Sequence, residues 1–182
     1  WQMSEERKSS RKNIRQKIRF KGEQEVPMST SKLKEYLETN GVQYKVIEHS
    51  LAYTAQEIAA SAHVPGKQLA KTVMIKIDDR MAMAVLPAPH RVNFERLKEY
   101  TSANQVELAN EREFKEMFPD CEPGAMPPFG NLYGMEVYAA ESLADEIEIA
   151  FCAGSHTELI RLPFKDFERL VKPKIFDISW KP

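Results

Sequence analysis

Apolar positions along the chain change their period several times, and each change marks an element. Leu33, Tyr36 and Leu37 recur at i, i+3 and i+4 behind Ser29-Thr30-Ser31, which predicts a capped helix stopped by Asn40-Gly41. Residues 44–47 read as a short strand. Thr54 and Glu57 form a capping-box pair ahead of Ile58, Ala59 and Ala62, so a helix is expected over 55–63, broken by Pro65-Gly66. Residues 69–77 are rich in β-branched side chains, Asp78-Asp79-Arg80 is a turn signal, and 81–86 return as a strand, which gives a hairpin. Asn93 and Asn110 cap two further helices, one through Tyr100 and one ending at Phe118-Pro119, with a short strand at 105–108 between them. Residues 135–139, 146–151, 157–162 and 174–178 read as strands, and 163–170 as a helix with proline in its first turn. The one long irregular stretch, 119–134, is of the kind that carries function more often than average. Helices alternate irregularly with strands and hairpins. This predicts a single α/β domain with a mixed, curved, largely antiparallel sheet packed by helices.

Composition narrows the class. The 182 residues are 42% hydrophobic and 29% charged, ordinary for a globular domain, which excludes collagenous, disordered and disulfide-scaffold proteins. The longest uncharged apolar stretch, 81–89, is far short of the ~20 residues a membrane helix needs, and no signal-peptide core stands near the start. Two cysteines without metal spacing, Cys121 and Cys152, suit a reducing cytoplasm. The net charge of −1 hides an asymmetry: residues 1–27 carry eight Lys/Arg against four Glu, and residues 28–182 carry eighteen against twenty-three acidic residues. Trp1 is no initiator, and Met28 directly precedes the first capped helix. The expected domain is therefore 28–182, with 1–27 a basic, non-native or disordered tail.

Lys71 is the sharpest chemical signal. On a strand it shares a face with Leu69, Val73, Ile75 and Ile77, so an ammonium is expected where apolar neighbours point inward. The alternative is that its amine snorkels out at the strand's open end. Thr72 and Lys76 fall on the opposite face, Thr72 toward core or helix and Lys76 exposed. The loop Gly124-Ala125-Met126-Pro127-Pro128 is stiff enough to present backbone donors to an oxyanion, although alone it reads as a plain turn. Ala153-Gly154-Ser155-His156 links two strands and so sits at a sheet edge or mouth. Its serine and histidine are sequence neighbours and make a poor nucleophile–base pair, and a lone histidine is more often a surface or capping group. The four histidines show no metal spacing, and Cys121 sits between Asp120 and Glu122, which disfavours a thiolate.

Three features in register then suggest a family: Lys71-Thr72 on a strand after a Glu-Ile-Ala-Ala helix (57–60), Gly-x-x-x-Pro at 124–128, and Ala-Gly-Ser-His at 153–156. Together they resemble the YbaK-type aminoacyl-tRNA deacylases, also found as the editing insertion of bacterial prolyl-tRNA synthetases, over residues 29–178. The resemblance implies a trans-editing hydrolase that cleaves the ester of a mischarged aminoacyl-tRNA, without metal or other cofactor and with help from the substrate's terminal ribose hydroxyl. It makes Lys71 the essential lysine, Gly124, Pro128 and Gly154 the loop residues, with the Gly124 and Gly154 backbones expected to be catalytic by positioning the ester and its oxyanion, and His156 a variant position. Ile47, Thr72 and Cys152 become pocket-wall positions, with Met126, Pro127 and Ser155 beside them. The implied partners are mischarged tRNA and an aminoacyl-tRNA synthetase, with no membrane. A non-catalytic module binding an aminoacyl end or nucleotide, and a hydrolase of unrelated small esters, remain the competing readings. The acidic 28–182 region is a difficulty for RNA binding unless lysines such as Lys67, Lys71, Lys172 and Lys174 form a local patch.

Overall fold

A computed structural model describes residues 28–182, and the expected tail over 1–27 lies outside them. The first helix, α1 (Met28–Thr39), starts ahead of the expected cap, so Ser29 and Thr30 lie inside its first turn. Its stripe buries Leu33 and Leu37, and Gly41 at φ +68° ends it in the left-handed region. Helix α2 (Ala55–Ser61) carries the expected capping box: Glu57 N donates to Thr54 Oγ1 at 3.2 Å, and Thr54 N to Glu57 Oε2 at 3.1 Å.

The hairpin is the centre of the molecule. Strands β2 (Ala70–Ile77) and β3 (Arg80–Pro87) pair antiparallel through a two-residue turn, Asp78-Asp79, at φ 45° and 66°. Such turns require positive φ at both central positions, and Asp tolerates it better than most residues. The Asp78 carboxylate further accepts the N–H groups of Asn104 and Gln105, both at 2.9 Å. Around the hairpin, β5 (Val106–Leu108), β6 (Glu136–Ala140) and β9 (Lys174–Phe176) complete a five-stranded sheet of order β5-β2-β3-β6-β9. It is antiparallel at the β5-β2-β3 side and parallel across β3-β6-β9. A second sheet, wholly antiparallel, has the order β1 (Lys45–Glu48), β8 (Glu158–Pro163), β7 (Glu148–Cys152). A ribbon of β4 (Arg91–Val92) and β10 (Ser179–Trp180) is the third. The mixed α/β architecture is as expected, but its strands divide among three sheets. The two larger ones meet at one seam, where Leu69 bridges Ala150 and Ala150 N donates to Gln68 O at 2.8 Å.

Both faces of the five-stranded sheet are covered, which explains why β2 and β3 read as nearly continuous apolar runs. One face packs Met74, Met83 and Val85 with Leu33 and Leu37 of α1 and Phe167 of α6 (Phe164–Val171). The other packs Ile75, Ile77, Ala84 and Leu86 with Leu97 of α3 (Phe94–Thr101). A third cluster under α2 joins Ile58, Leu69, Ala88, Ala150 and Leu159 across the seam.

Several elements differ from expectation. The helix over 110–118 is a single α turn, α4 (Glu111–Phe114), followed by a 3-10 turn at Lys115–Met117, since Pro119 drives Phe118 out of the helical region. A short helix, α5 (Glu141–Ala144), precedes β7, and the long loop holds a 3-10 turn at Gly130–Tyr133. The last strand stops at Phe176, and the chain resumes as β10 to pair with β4. Lys76 is not exposed: its side chain is only 19% accessible, held by Glu107 at 2.7 Å and Glu113 at 3.0 Å. No described helix is long and apolar enough to cross a membrane.

Candidate functional site

The sequence Glu122-Pro123-Gly124-Ala125 builds one turn. Ala125 N donates to Glu122 O at 3.0 Å, proline occupies the second position, and Gly124 follows at φ +85°. Proline then glycine at positive φ is the signature of a type II turn, and a side chain at Gly124 would be strained there. This turn is bonded edge to edge with the other glycine segment. Glu122 N donates to Gly154 O and Gly154 N to Ala125 O, each at 2.9 Å, with Gly154 at φ +110°. The two glycine-bearing loops are thus one unit, although thirty residues separate them in the chain.

His156 locks that unit. Its backbone N–H donates to Glu122 Oε2 at 2.6 Å, and its ring Nε2 to Pro123 O at 2.7 Å. Nε2 therefore carries a proton, while Nδ1 is buried without a partner among the described residues. The side chain is 5% exposed, with the ring of Tyr53 tilted over it at 5.1 Å. The surface reading of His156 does not hold: it is an interior clasp. Ser155 is also buried, and its Oγ lies 3.5 Å from Thr157 Oγ1, without a bond to the histidine.

Gly154 has both backbone polar groups engaged in the clasp, so its N–H is not presented to a ligand. Gly124 N–H has no acceptor among the described residues and is the donor the turn leaves open. Met126 packs into the main core, and Pro127 and Pro128 are buried behind it, so these three support the turn from below.

Lys71 stands opposite Leu86, on the face of β2 shared with the buried Ile75 and Ile77. Its ammonium is half-buried and donates to Ala88 O at 3.0 Å, with no carboxylate partner among the described residues. Burial holds its pKa below the ordinary lysine value, and the neighbouring Arg91 lowers it further. Ala88 belongs to the seam cluster, against which Ile47 and Cys152 also pack. Cys152 lies two residues before Gly154. Ala88, which anchors the lysine, thus shares one cluster with Ile47 and Cys152, and the chain runs from Cys152 directly into the clasp. Thr72 lies on the opposite face of β2, beside Ala70 and Met74. Burial pushes the Cys152 thiol up to about 12, assisted by Glu122, so it is no thiolate at neutral pH. Among the described residues no group of His, Cys, Asp and Glu is arranged to hold a metal.

Sequence reasoning passed over Glu122, Pro123 and Tyr53. Pro-Gly after Glu122 did carry a turn signal, but the partner of that turn is set by the fold. A cleft of about 530 Å³ between α1 and the 117–133 segment, lined by Tyr36, Phe118 and Tyr133 among others, touches none of the predicted site residues.

Known proteins share this fold and part of this sequence. A proline–tRNA ligase of Bacillus cereus (strain AH187) is 27% identical over 103 residues, 57% of this chain. One of Bacillus mycoides (strain KBAB4) matches to the same extent. The chain spans only 18% of the length of these ligases. A crystal structure described as a proposed trans-editing enzyme for prolyl tRNA synthetase superposes with a TM-score of 0.75 at 20% identity, covering 85% of this chain and 99% of that one. A scaffold used in computational epitope grafting gives 0.74 at 19%, covering 85% and 99%, and both likenesses speak to the fold. The aminoacyl-tRNA editing domain model matches residues 49–170, which include the seam, Lys71 and the clasp, and the chain belongs to that family.

Proposed function

We propose that this domain hydrolyses the ester of a mischarged aminoacyl-tRNA. The observation that carries the reading is Lys71, a half-buried ammonium on an apolar strand face with one carbonyl for company. Stability alone does not favour such a group. An anionic or carbonyl-bearing ligand supplies the partner it lacks.

In the reaction a water oxygen bonds to the acyl carbon and the bond from that carbon to the ribose oxygen breaks. The water's proton ends on the ribose oxygen, so one amino acid and one free terminal hydroxyl leave. Lys71, protonated, holds the terminal phosphate or the carbonyl oxygen. Gly124 N–H faces the oxyanion, and one such donor is worth ~10²–10³ in rate. Gly154, Glu122 and His156 keep the turn in place. The neighbouring ribose hydroxyl assists the water, because the described residues offer no activated nucleophile: Ser155 is turned to Thr157, and Cys152 is protonated. Ile47 and Cys152 form the apolar wall that sizes the amino acid, where one methylene discriminates by only ~1–3 kcal/mol. A mischarging synthetase, the prolyl enzyme among the candidates, and a cytoplasmic setting accompany this reading.

The test is deacylation of a panel of alanyl-, cysteinyl-, seryl- and prolyl-type mischarged tRNAs by wild type and Lys71→Ala, with folding verified. Wild type is expected to clear one of them, and the variant to lose about 10²-fold or more. Near-normal turnover by Lys71→Ala, or none by wild type at high enzyme with the charged end still bound, defeats the reading, the second in favour of a non-catalytic module.

A further inference from the structure

The β4–β10 ribbon is a small element that the core needs only on one side. Val92 and Ile178 point into the cluster beneath α3. Directly paired residues on an antiparallel ribbon share a face, and the pair Arg91 and Trp180 faces out. Trp180 is 45% exposed, and the Arg91 guanidinium carbon lies 5.9 Å from its ring centre. His90 Nδ1 meets Ser179 Oγ at 2.9 Å, which ties the two strands together at their base.

The ribbon is locally basic. Residues 86–92 and 178–182 contain Arg91, Lys181 and His90 and no Asp or Glu, in a region 28–182 that is acidic overall. The adjoining Asp177 is already bound by Arg96. None of Arg91, Lys181 and Lys71 forms an ion pair among the described residues. The cations also feel one another. Beyond the effect of burial, Lys181 and Lys71 both lower the His90 pKa, as Arg91 lowers that of Lys71. Like charges gathered without counter-charges are unfavourable until an anion arrives. The cluster is continuous with the candidate site, because Lys71 is fixed on Ala88, three residues before Arg91.

We propose that the Arg91–Trp180 ribbon is the docking surface for the single-stranded 3′ end of an RNA, with Arg91 and Lys181 on consecutive phosphates and a base stacked on Trp180. The inference rests on the proposed function for the identity of the strand that ends at Lys71. A solvent-facing indole beside cations suits unpaired bases, whose faces are open, and a duplex hides those faces. It also answers the acidic charge of the domain: the cations are few but concentrated where the strand must enter.

The experiment measures anisotropy of a fluorescein-labelled twelve-nucleotide RNA ending in CCA, titrated with the full chain at several salt concentrations. Arg91→Ala, Lys181→Ala and Trp180→Ala are each expected to weaken binding about five-fold or more, and Trp180→Phe much less. Each lost cation should also reduce the salt slope by about one. A blunt duplex of equal length should bind at least about five-fold more weakly than the single strand. Unchanged affinity in a folded triple variant, equal affinity for the duplex, or no binding by wild type overturns the inference. The mischarged-tRNA panel reads the other proposal separately. Absent turnover with ribbon-dependent RNA binding sinks the hydrolase and keeps the docking surface. Intact turnover with ribbon-independent binding does the reverse.

Discussion

Lys71 is placed against the interest of stability. Its ammonium is half-buried with one carbonyl acceptor, and both its burial and Arg91 favour the neutral amine. Because the folded-state pKa is lowered, the unfolded chain binds more protons in the window between that value and the ordinary 10.5. Stability attributable to Lys71 therefore rises with pH through that window. Below it the penalty is present in full. Lys71→Met keeps the length of the side chain and removes the charge. We expect it to be as stable as wild type or up to about 1 kcal/mol more stable at pH 7, while deacylation is lost. The gap should narrow as pH rises through that window and close above 10.5, where the lysine is deprotonated in both states. Urea midpoints of the two proteins from pH 7 upward check this. A Met variant destabilised by more than about 1 kcal/mol at pH 7 would make Lys71 a structural residue held by its Ala88 bond.

Among the elements, the turn over 122–125 matters more than any helix. Glu122 joins it to the 154–156 segment twice, through its backbone N–H to Gly154 O and through its carboxylate to His156 N. Glu122→Ala removes the second link and lets Gly124 drift, and a displacement of about 1 Å at such a donor is worth up to ~10² in rate. We expect kcat/KM to fall about ten-fold or more with a shift in Tm of under about 3 °C, and Glu122→Gln to restore most of the activity, since its amide oxygen still accepts. Equal losses in the Ala and Gln variants would assign the carboxylate a charge role instead. The capping box, the hairpin and the inward face of β2 were legible because each is a local pattern: Thr54 with Glu57, Asp78-Asp79 between apolar runs, Ile75 and Ile77 two apart. The elements missed have no period to detect. Strands β4 and β10 are two residues each, and α5 is one turn. The misplacement of Lys76 has the same origin, for its carboxylate partners come from β5 and α4, more than thirty residues on. The candidate site was half legible. Lys71 and the two glycines could be singled out one by one, whereas the clasp by which Glu122 and His156 unite the loops exists only once β7 and β8 bring 154 to 122.

At the scale of the whole molecule, the candidate site lies beside the backbone junction of two sheets that also share the main core, where Ile149 and Phe151 of β7 pack in one cluster with Met83 and Val85 of β3. The backbones of the five-stranded and three-stranded sheets meet at the bridge of Leu69 to Ala150, where Ala150 N donates to Gln68 O at 2.8 Å. Ala88 closes on the same point, donating to Leu69 O at 2.8 Å while its own carbonyl holds Lys71. Leu69 is the apolar pin of this seam, 2% exposed and packed with Ile58, Ala88, Ala150 and Leu159. Lys71 belongs to one sheet and Gly154 follows the other, so the geometry between them depends on the seam together with the core the sheets share. Leu69→Ala should lower stability by about 2–4 kcal/mol, the usual result of emptying a leucine site in a core. Its diagnostic consequence is local. Below the global transition, the amides of Ala88 and Ala150 should exchange with solvent together and much faster than in wild type, while those of Met83 and Val85 in the hairpin centre follow only the global loss. Deacylation should drop further than the unfolded fraction accounts for, because folded molecules with an open seam hold the ammonium and the turn out of register. Hydrogen exchange read residue by residue decides the matter. Uniform acceleration across both sheets would mean that the two halves open as one body, and that the separation of lysine from glycine turn is not governed by Leu69.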